Sequence, residues 1–310
     1  KKYGYRANND EEIGILTNIN VSSKIRELSN KTYLPYIKKY LNDRHFSYFE
    51  YCPGGPPEIE YIRHSTFDIN DGRQSFGIQN TFSFIQEGLN GEDNFSDNIK
   101  HRAEGQMAGM LGLIEFAYSH NDDIKDLVAS ERDKLINSNL SNSVAIQLDH
   151  FKNGSKLELP LLSYYSNKDT VVTVNDYHPI VNSLYDVERP KGYLVPKNLT
   201  DIIEWADKHS IKYSDYKKTD GEKLEQYYIN GIDSINFEGD IIANSTVQSE
   251  IISNNLSEED YIFIPTKQLK NSMIVIALEP KSMLGIMQYK EYRYLLDNKI
   301  YPILRVVNKN

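Results

Sequence analysis

Cysteine occurs once in 310 residues, at Cys52, which rules out an internal disulfide and any cysteine-rich zinc site. No apolar run approaches the roughly 18 residues that a membrane-spanning helix needs, and the opening KKYGYRANNDEE lacks the apolar centre of a signal peptide. Basic clusters are missing as well. With a formal charge of −9, the chain has no Lys/Arg-rich face for phosphates, which argues against nucleic acid as a partner. No GxGxxG, P-loop, nucleophile-elbow or EF-hand pattern is present, and no repeat of fixed period.

What remains is the balance of a globular protein, 39% hydrophobic and 25% charged, long enough for two ordinary domains. The 23 tyrosines are scattered and form no periodic stripe, although tyrosine-rich surfaces can also stack on sugars or peptides. Leu34, Ile37 and Leu41, with Pro35 near the first turn, predict a helix over about Asn30 to Asn42 lying on a sheet. YCPGGPPEIEY is a loop by composition, and NTFSFIQEG predicts a short buried strand that ends at Glu87 and Gly88, with the carboxylate facing a cleft.

From about Asp97 to His120 the pattern is helical. Ile99, Ala103, Met107, Met110, Leu111, Ile114 and, less regularly, Phe116 fall near one face and predict a core helix, with small residues such as Gly105, Ala108, Gly109 and Gly112 allowing tight packing. A charged, surface-type helix follows, over about Asp122 to Asn137. The polar run NSNLSNS then marks a domain boundary, giving units over residues 1–140 and 141–310. Beyond it VAIQLDHF, TVVTV, YIFIP and MIVIALEP read as strands of an antiparallel or mixed β module, interrupted by one helix over Leu199 to His209 capped by Asn198 or Thr200.

The stretch EYCPGGPPEIEYIRHSTFDINDGRQSFGIQNTFSFIQEG resembles the zinc metallocarboxypeptidase (carboxypeptidase A-like) family, in which a tyrosine on a glycine-containing loop precedes a strand that ends in the catalytic glutamate. HRAEGQMAGMLGLIEFA, RPKGYLVP followed by a helix and HSI, and LEPKSMLGIMQY followed by YPILRV are similar, in order, to extended bacterial members with a C-terminal module. The resemblance implies an α/β fold: part of a mixed-sheet domain with flanking helices, then a β-rich α+β module. It implies zinc-dependent peptide hydrolysis, most often removal of a C-terminal residue, with a peptide or protein substrate. It also favours a secreted or periplasmic location.

Carried over by motif, Glu87 is the general base that takes the proton of a metal-acidified water, and Tyr51 donates a hydrogen bond to the substrate or the oxyanion. The plain alternative for Glu87 is a strand-end residue paired with Arg73, and for Tyr51 an aromatic packing its own loop. Arg63 and Arg73 are the cations able to grip a substrate carboxylate bidentately, although each also reads as a solvated surface arginine.

In the family the zinc is held by an HxxE pair and a later His upstream of the glutamate. Before Glu87 only His45 and His64 occur, and neither has an acidic residue three positions on. No metal ligand is assigned within the chain, and the Zn2+ ligands are expected at or before Lys1. His101-Arg102-Ala103-Glu104 has the spacing but follows Glu87 and reads as the solvated first turn of a helix. His120, His150, His178 and His209 read as ordinary surface or turn histidines. The rival expectation is a non-catalytic peptide- or glycan-binding module derived from the same fold.

Overall fold

The computed structural model describes residues 4–56, 59–88, 98–137, 143–253 and 255–307. It is mixed α and β, and it divides into two compact units, one of residues 1–130 with 149–182 and one of residues 131–148 with 183–310. The boundary expected between residues 140 and 141 lies outside the described residues. No helix among the described residues is long and apolar enough to cross a membrane.

In chain order the elements are β1 (Tyr5–Ala7), β2 (Glu11–Gly14), α1 (Ser23–Leu28), α2 (Leu34–Asn42), β3 (Tyr48–Glu50), β4 (Ile62–Arg63), α3 (Gly72–Gly77), β5 (Ile85–Gly88), α4 (Ile99–Ser119) and α5 (Asn121–Asn137). They continue with β6 (Ser143–Phe151), β7 (Leu157–Ser163), β8 (Lys168–Val174), β9 (Tyr177–His178), β10 (Ile180–Glu188) and β11 (Gly192–Pro196). The last are α6 (Thr200–Lys208), β12 (Ser214–Asp215), β13 (Lys223–Phe237), β14 (Asp240–Ile252), β15 (Tyr261–Pro265), α7 (Asn271–Leu278) and β16 (Leu304–Val307).

The first unit is organised on the sheet β3-β2-β5, in which β2 runs parallel to β3 and antiparallel to β5. Alternation along β2 turns Ile13 inward, where it packs with Leu34, Ile37 and Leu41 of α2, Tyr33, and Ala108 and Phe116 of α4. Phe82 and Phe84, just before β5, join the ring cluster of Tyr33 and Phe116.

Helix α4 turns the opposite way from the expectation. Gly105, Ala108, Gly109 and Gly112 face inward with Phe116, the one large residue of the expected face that is buried, whereas Met107, Met110, Leu111 and Ile114 are exposed, Met110 by 61% and Ile114 by 63%. The reason is distance of approach. A Cβ on Gly109 would lie 2.1 Å from the Gln86 side chain and one on Gly105 2.4 Å from Glu11 Oε1, so only the small-residue face fits against the sheet. In α5, Glu131 is buried and pairs with Lys134 at 2.6 Å, so this helix is not surface-type throughout.

The second unit is built on the six-stranded sheet β12-β15-β11-β16-β13-β14, with Leu194, Tyr216, Leu224, Leu304 and Val306 at its core. Its long hairpin β13–β14 turns at Glu238 and Gly239, both at positive φ (52° and 97°), the geometry a two-residue turn between twisted strands requires. MIVIALEP, expected as a strand, is mostly the helix α7, with every residue from Ile274 to Leu278 buried. An all-round apolar run has no period by which to choose between strand and helix. Helix α6 forms as expected and buries Ile202, Trp205 and Ala206, but its N-cap is Leu199, with no side-chain cap bond.

Candidate functional site

The two faces of β2 carry different chemistry because its sequence, Glu-Glu-Ile-Gly, alternates across the pleat. On the inner face Glu11 is fully buried, its Oε2 accepting from Gln86 Nε2 at 2.7 Å and from Gln106 Nε2 at 2.6 Å. On the outer face Glu12 is the register partner of Glu87, and Gly14 of Ile85, so the two carboxylates stand directly across from each other. Tyr51 follows β3 and is tied to β2 by its backbone N–H, which donates to the Ile13 carbonyl at 3.2 Å.

Arg73 reaches this outer face from the first turn of α3. Asp71 caps that helix, accepting from the Arg73 and Gln74 backbone N–H groups at 3.0 and 3.2 Å. The same carboxylate takes Arg73 Nε at 3.1 Å and Nη2 at 3.2 Å. The Arg73 side chain is 1% exposed, and among the described residues its Nη1 has no hydrogen-bond partner. Nη1 occupies the space of the missing Gly14 side chain, 1.9 Å from where a Cβ would stand, so any other residue at 14 would displace the guanidinium. The Arg73 Cζ lies 5.6 Å from the centre of the Tyr51 ring.

Glu87, Tyr51 and Arg73, singled out in the sequence, thus lie together. Arg63 is half-buried, donates from Nη1 to the His64 carbonyl at 3.3 Å, and is close enough to lower the Tyr51 pKa. Neither arginine is a solvated surface residue, and the ion-pair partner of Arg73 is Asp71 rather than Glu87.

Electrostatics bind the group together. Burial pushes the Tyr51 hydroxyl above its ordinary value, with Glu87 adding to the rise and Arg73 opposing it. Burial lowers Arg73, against the pull of Asp71, Tyr51 and Glu87. The Glu12 carboxyl is pushed up to about 7, first by burial and further by Glu87, while the Asn9 amide, 3.4 Å from Oε1, opposes the rise. Glu12, Gly14 and Asp71 were not singled out in the sequence. Adjacent Glu11-Glu12 on a strand signals one carboxylate in and one out, but nothing local announces that Glu12 meets Glu87.

The histidines are engaged elsewhere. His101 Nε2 is 2.8 Å from Asp10 Oδ1, while Glu104 is exposed and 3.8 Å from Lys100. His64 Nε2 is 3.7 Å from Glu50 Oε2. His150, expected at the surface, is buried with Nε2 3.0 Å from the Ser65 carbonyl. Burial holds His64 and His150 down to about 4. Among the described residues no group of three His, Cys, Asp or Glu could hold a metal, so these residues do not fit the zinc centre that the resemblance implies. Burial pushes the Cys52 thiol up to about 12, which leaves no thiolate nucleophile at neutral pH.

The inner-face glutamate gives a test of this sheet. Burial raises Glu11 from its ordinary 4.5 to about 7, with the Gln86 and Gln106 amides opposing the rise. The folded state then holds the proton more tightly than the unfolded one. Its contribution to stability is complete below about pH 4.5 and is lost as pH rises through 7. Glu11→Gln, which cannot ionise, should gain on the wild type by on the order of 3 kcal/mol between acidic and mildly basic pH in denaturant titrations. A difference between the two that does not change with pH would show that Glu11 does not ionise differently on folding.

Comparison with protein-family models, curated proteins and solved structures finds no match to the chain.

Proposed function

We propose that the outer face of the β3-β2-β5 sheet is the substrate-binding and proton-accepting part of a peptide-hydrolysing centre of the metallocarboxypeptidase type. The observation that carries the reading is the convergence of Tyr51, Glu87 and Arg73, the Arg73 Cζ lying 5.6 Å from the centre of the Tyr51 ring and Glu87 close enough to act on both. A peptide's terminal carboxylate is the group that an arginine fork grips, and Arg63 and Arg73 are the cations close to Tyr51. Glu87, with Arg73 salt-bridged to Asp71, is the proton acceptor for an attacking water. Tyr51, kept protonated by burial and by Glu87, donates to the developing oxyanion.

A second reading is peptide binding without hydrolysis, since among the described residues no group of three His, Cys, Asp or Glu is placed to hold a metal. Titration calorimetry with a short peptide, before and after amidation of its C-terminus, tests what the two readings share. Hydrogen bonds to charged groups contribute about 1.5–3 kcal/mol, so amidation should weaken binding roughly 10- to 150-fold. Equal affinity of the acid and the amide, or binding of neither, overturns the proposal.

A further inference from the structure

Helix α4 covers the inner face of the β3-β2-β5 sheet with its glycines and so turns large apolar residues outward. Ile99, Met107, Met110, Leu111, Ile114 and Tyr118 are between 49% and 81% exposed. Together they leave on the order of 600 Å² of apolar surface, the upper end of what a typical monomer shows as one patch. At 3.6 residues per turn, Lys100, Met107, Leu111, Ile114 and Tyr118 fall within about 60° of one another and form a single stripe. Tyr118 comes about five full turns after Lys100, directly in line with it. The two ends of the helix are charged against its dipole. The first turn holds Lys100 and no acidic residue, the last turn holds no basic residue, and Glu115 stands just before it. The Lys100 side chain is 88% exposed and only loosely held by Glu104, at 3.8 Å.

We propose that this stripe is the contact surface for a second copy of the chain, the two α4 helices packing antiparallel about a twofold axis at the level of Gly109. Gly109 is midway between Lys100 and Tyr118 and also midway between Met107 and Leu111. The axis therefore sets Lys100 of each copy against Tyr118 of the other, a cation on an aromatic ring, and Met107 against Leu111. The same reversal brings each Lys100 near Glu115 of the other copy and lays the positive end of one helix dipole beside the negative end of its mate. Parallel pairing would instead set Lys100 against Lys100. The stripe is thus complementary to its own reverse, and a second copy supplies both the apolar surface and the opposite charge that each end lacks. Two stripes bury about 1,200 Å² in total, the lower end of the range for specific interfaces. The stripe faces away from the sheet, so the pairing leaves the outer face with Tyr51 and Glu87 open.

Sedimentation equilibrium of the whole chain between about 1 and 100 μM should show monomer and dimer exchanging, with dissociation in the micromolar range. Leu111→Glu should raise the dissociation constant roughly 10-fold or more. Its melting temperature at low concentration should hold, because Leu111 is already 49% exposed in the single chain. Lys100→Glu should weaken the dimer roughly 10-fold, and adding Glu115→Lys to it should recover most of the loss, since the reversed charges meet again only across antiparallel helices. A monomer at every concentration overturns the inference, and flotation of that monomer with phosphatidylcholine vesicles would give the stripe to a lipid surface instead. A dimer that survives Leu111→Glu lies on another face, and one that the Lys100 and Glu115 exchange fails to rescue is not antiparallel; either result overturns the inference as well.

Discussion

Glu87→Gln should lower peptide turnover by about 10²- to 10⁴-fold, the range that general-base groups contribute, while substrate affinity changes little. The amide preserves shape but cannot accept the proton of water. The structure also separates this outcome from a stability effect. Arg73 is bound to Asp71, and the cross-strand neighbour of Glu87 is another glutamate, so neutralising Glu87 removes that repulsion along with the weakest of the attractions acting on Arg73. The melting temperature should hold or rise. Glu104→Gln is the suitable control, since Glu104 is half exposed (49%) and only loosely paired with Lys100 at 3.8 Å. A variant that melts earlier yet hydrolyses peptide at the parental rate would take Glu87 out of the chemistry and favour binding without hydrolysis.

Arg305→Met should destabilise the second unit by roughly 3–5 kcal/mol, the cost of leaving buried carboxylates without their cation. Arg305 sits on β16, 6% exposed, as register partner of Glu225 on β13 and Tyr193 on β11. Its guanidinium pairs with Glu225 and, through Nε at 3.0 Å, with Glu279, while Nη2 donates to the Glu188 carbonyl. The Tyr193 hydroxyl donates to Glu279 at 2.7 Å, which satisfies one lone pair but not the charge. Burial already pushes the Glu279 carboxyl up, and Arg305 is the main group opposing that rise. Removing the cation leaves Glu279 to take up a proton, so the penalty should shrink as pH falls and in the double variant Arg305→Met, Glu279→Gln. Denaturant unfolding measures it. A loss under about 1 kcal/mol would mean that water already screens the cluster.

Arg305 was invisible in the sequence for the same reason as Glu12. Each gains its meaning from a register partner on another strand, Glu225 for one and Glu87 for the other, and strand pairing depends on the whole sheet. What the residues specified by themselves was local. Leu34, Ile37 and Leu41 at helical spacing specified α2, and the Gly-Pro run specified the loop before β4. Glu87, Tyr51, Arg63 and Arg73 could be picked out as candidates because their motif lies within one short stretch.

Helix α4 marks the limit of such reading. Its periodicity announced an amphipathic helix, yet its apolar stripe apart from Phe116 is exposed, because the glycine face alone lets Glu11 and Gln86 approach. Likewise MIVIALEP carries enough hydrophobicity to be buried in either form, and its surroundings made it a helix. Periodicity and turn chemistry act within a few residues and so are written in the chain. The facing of α4, the burial of Arg73 against Gly14 and the pairing of Glu12 with Glu87 were decided only by tertiary structure, because distant segments compete for the same space and the tightest packing prevails.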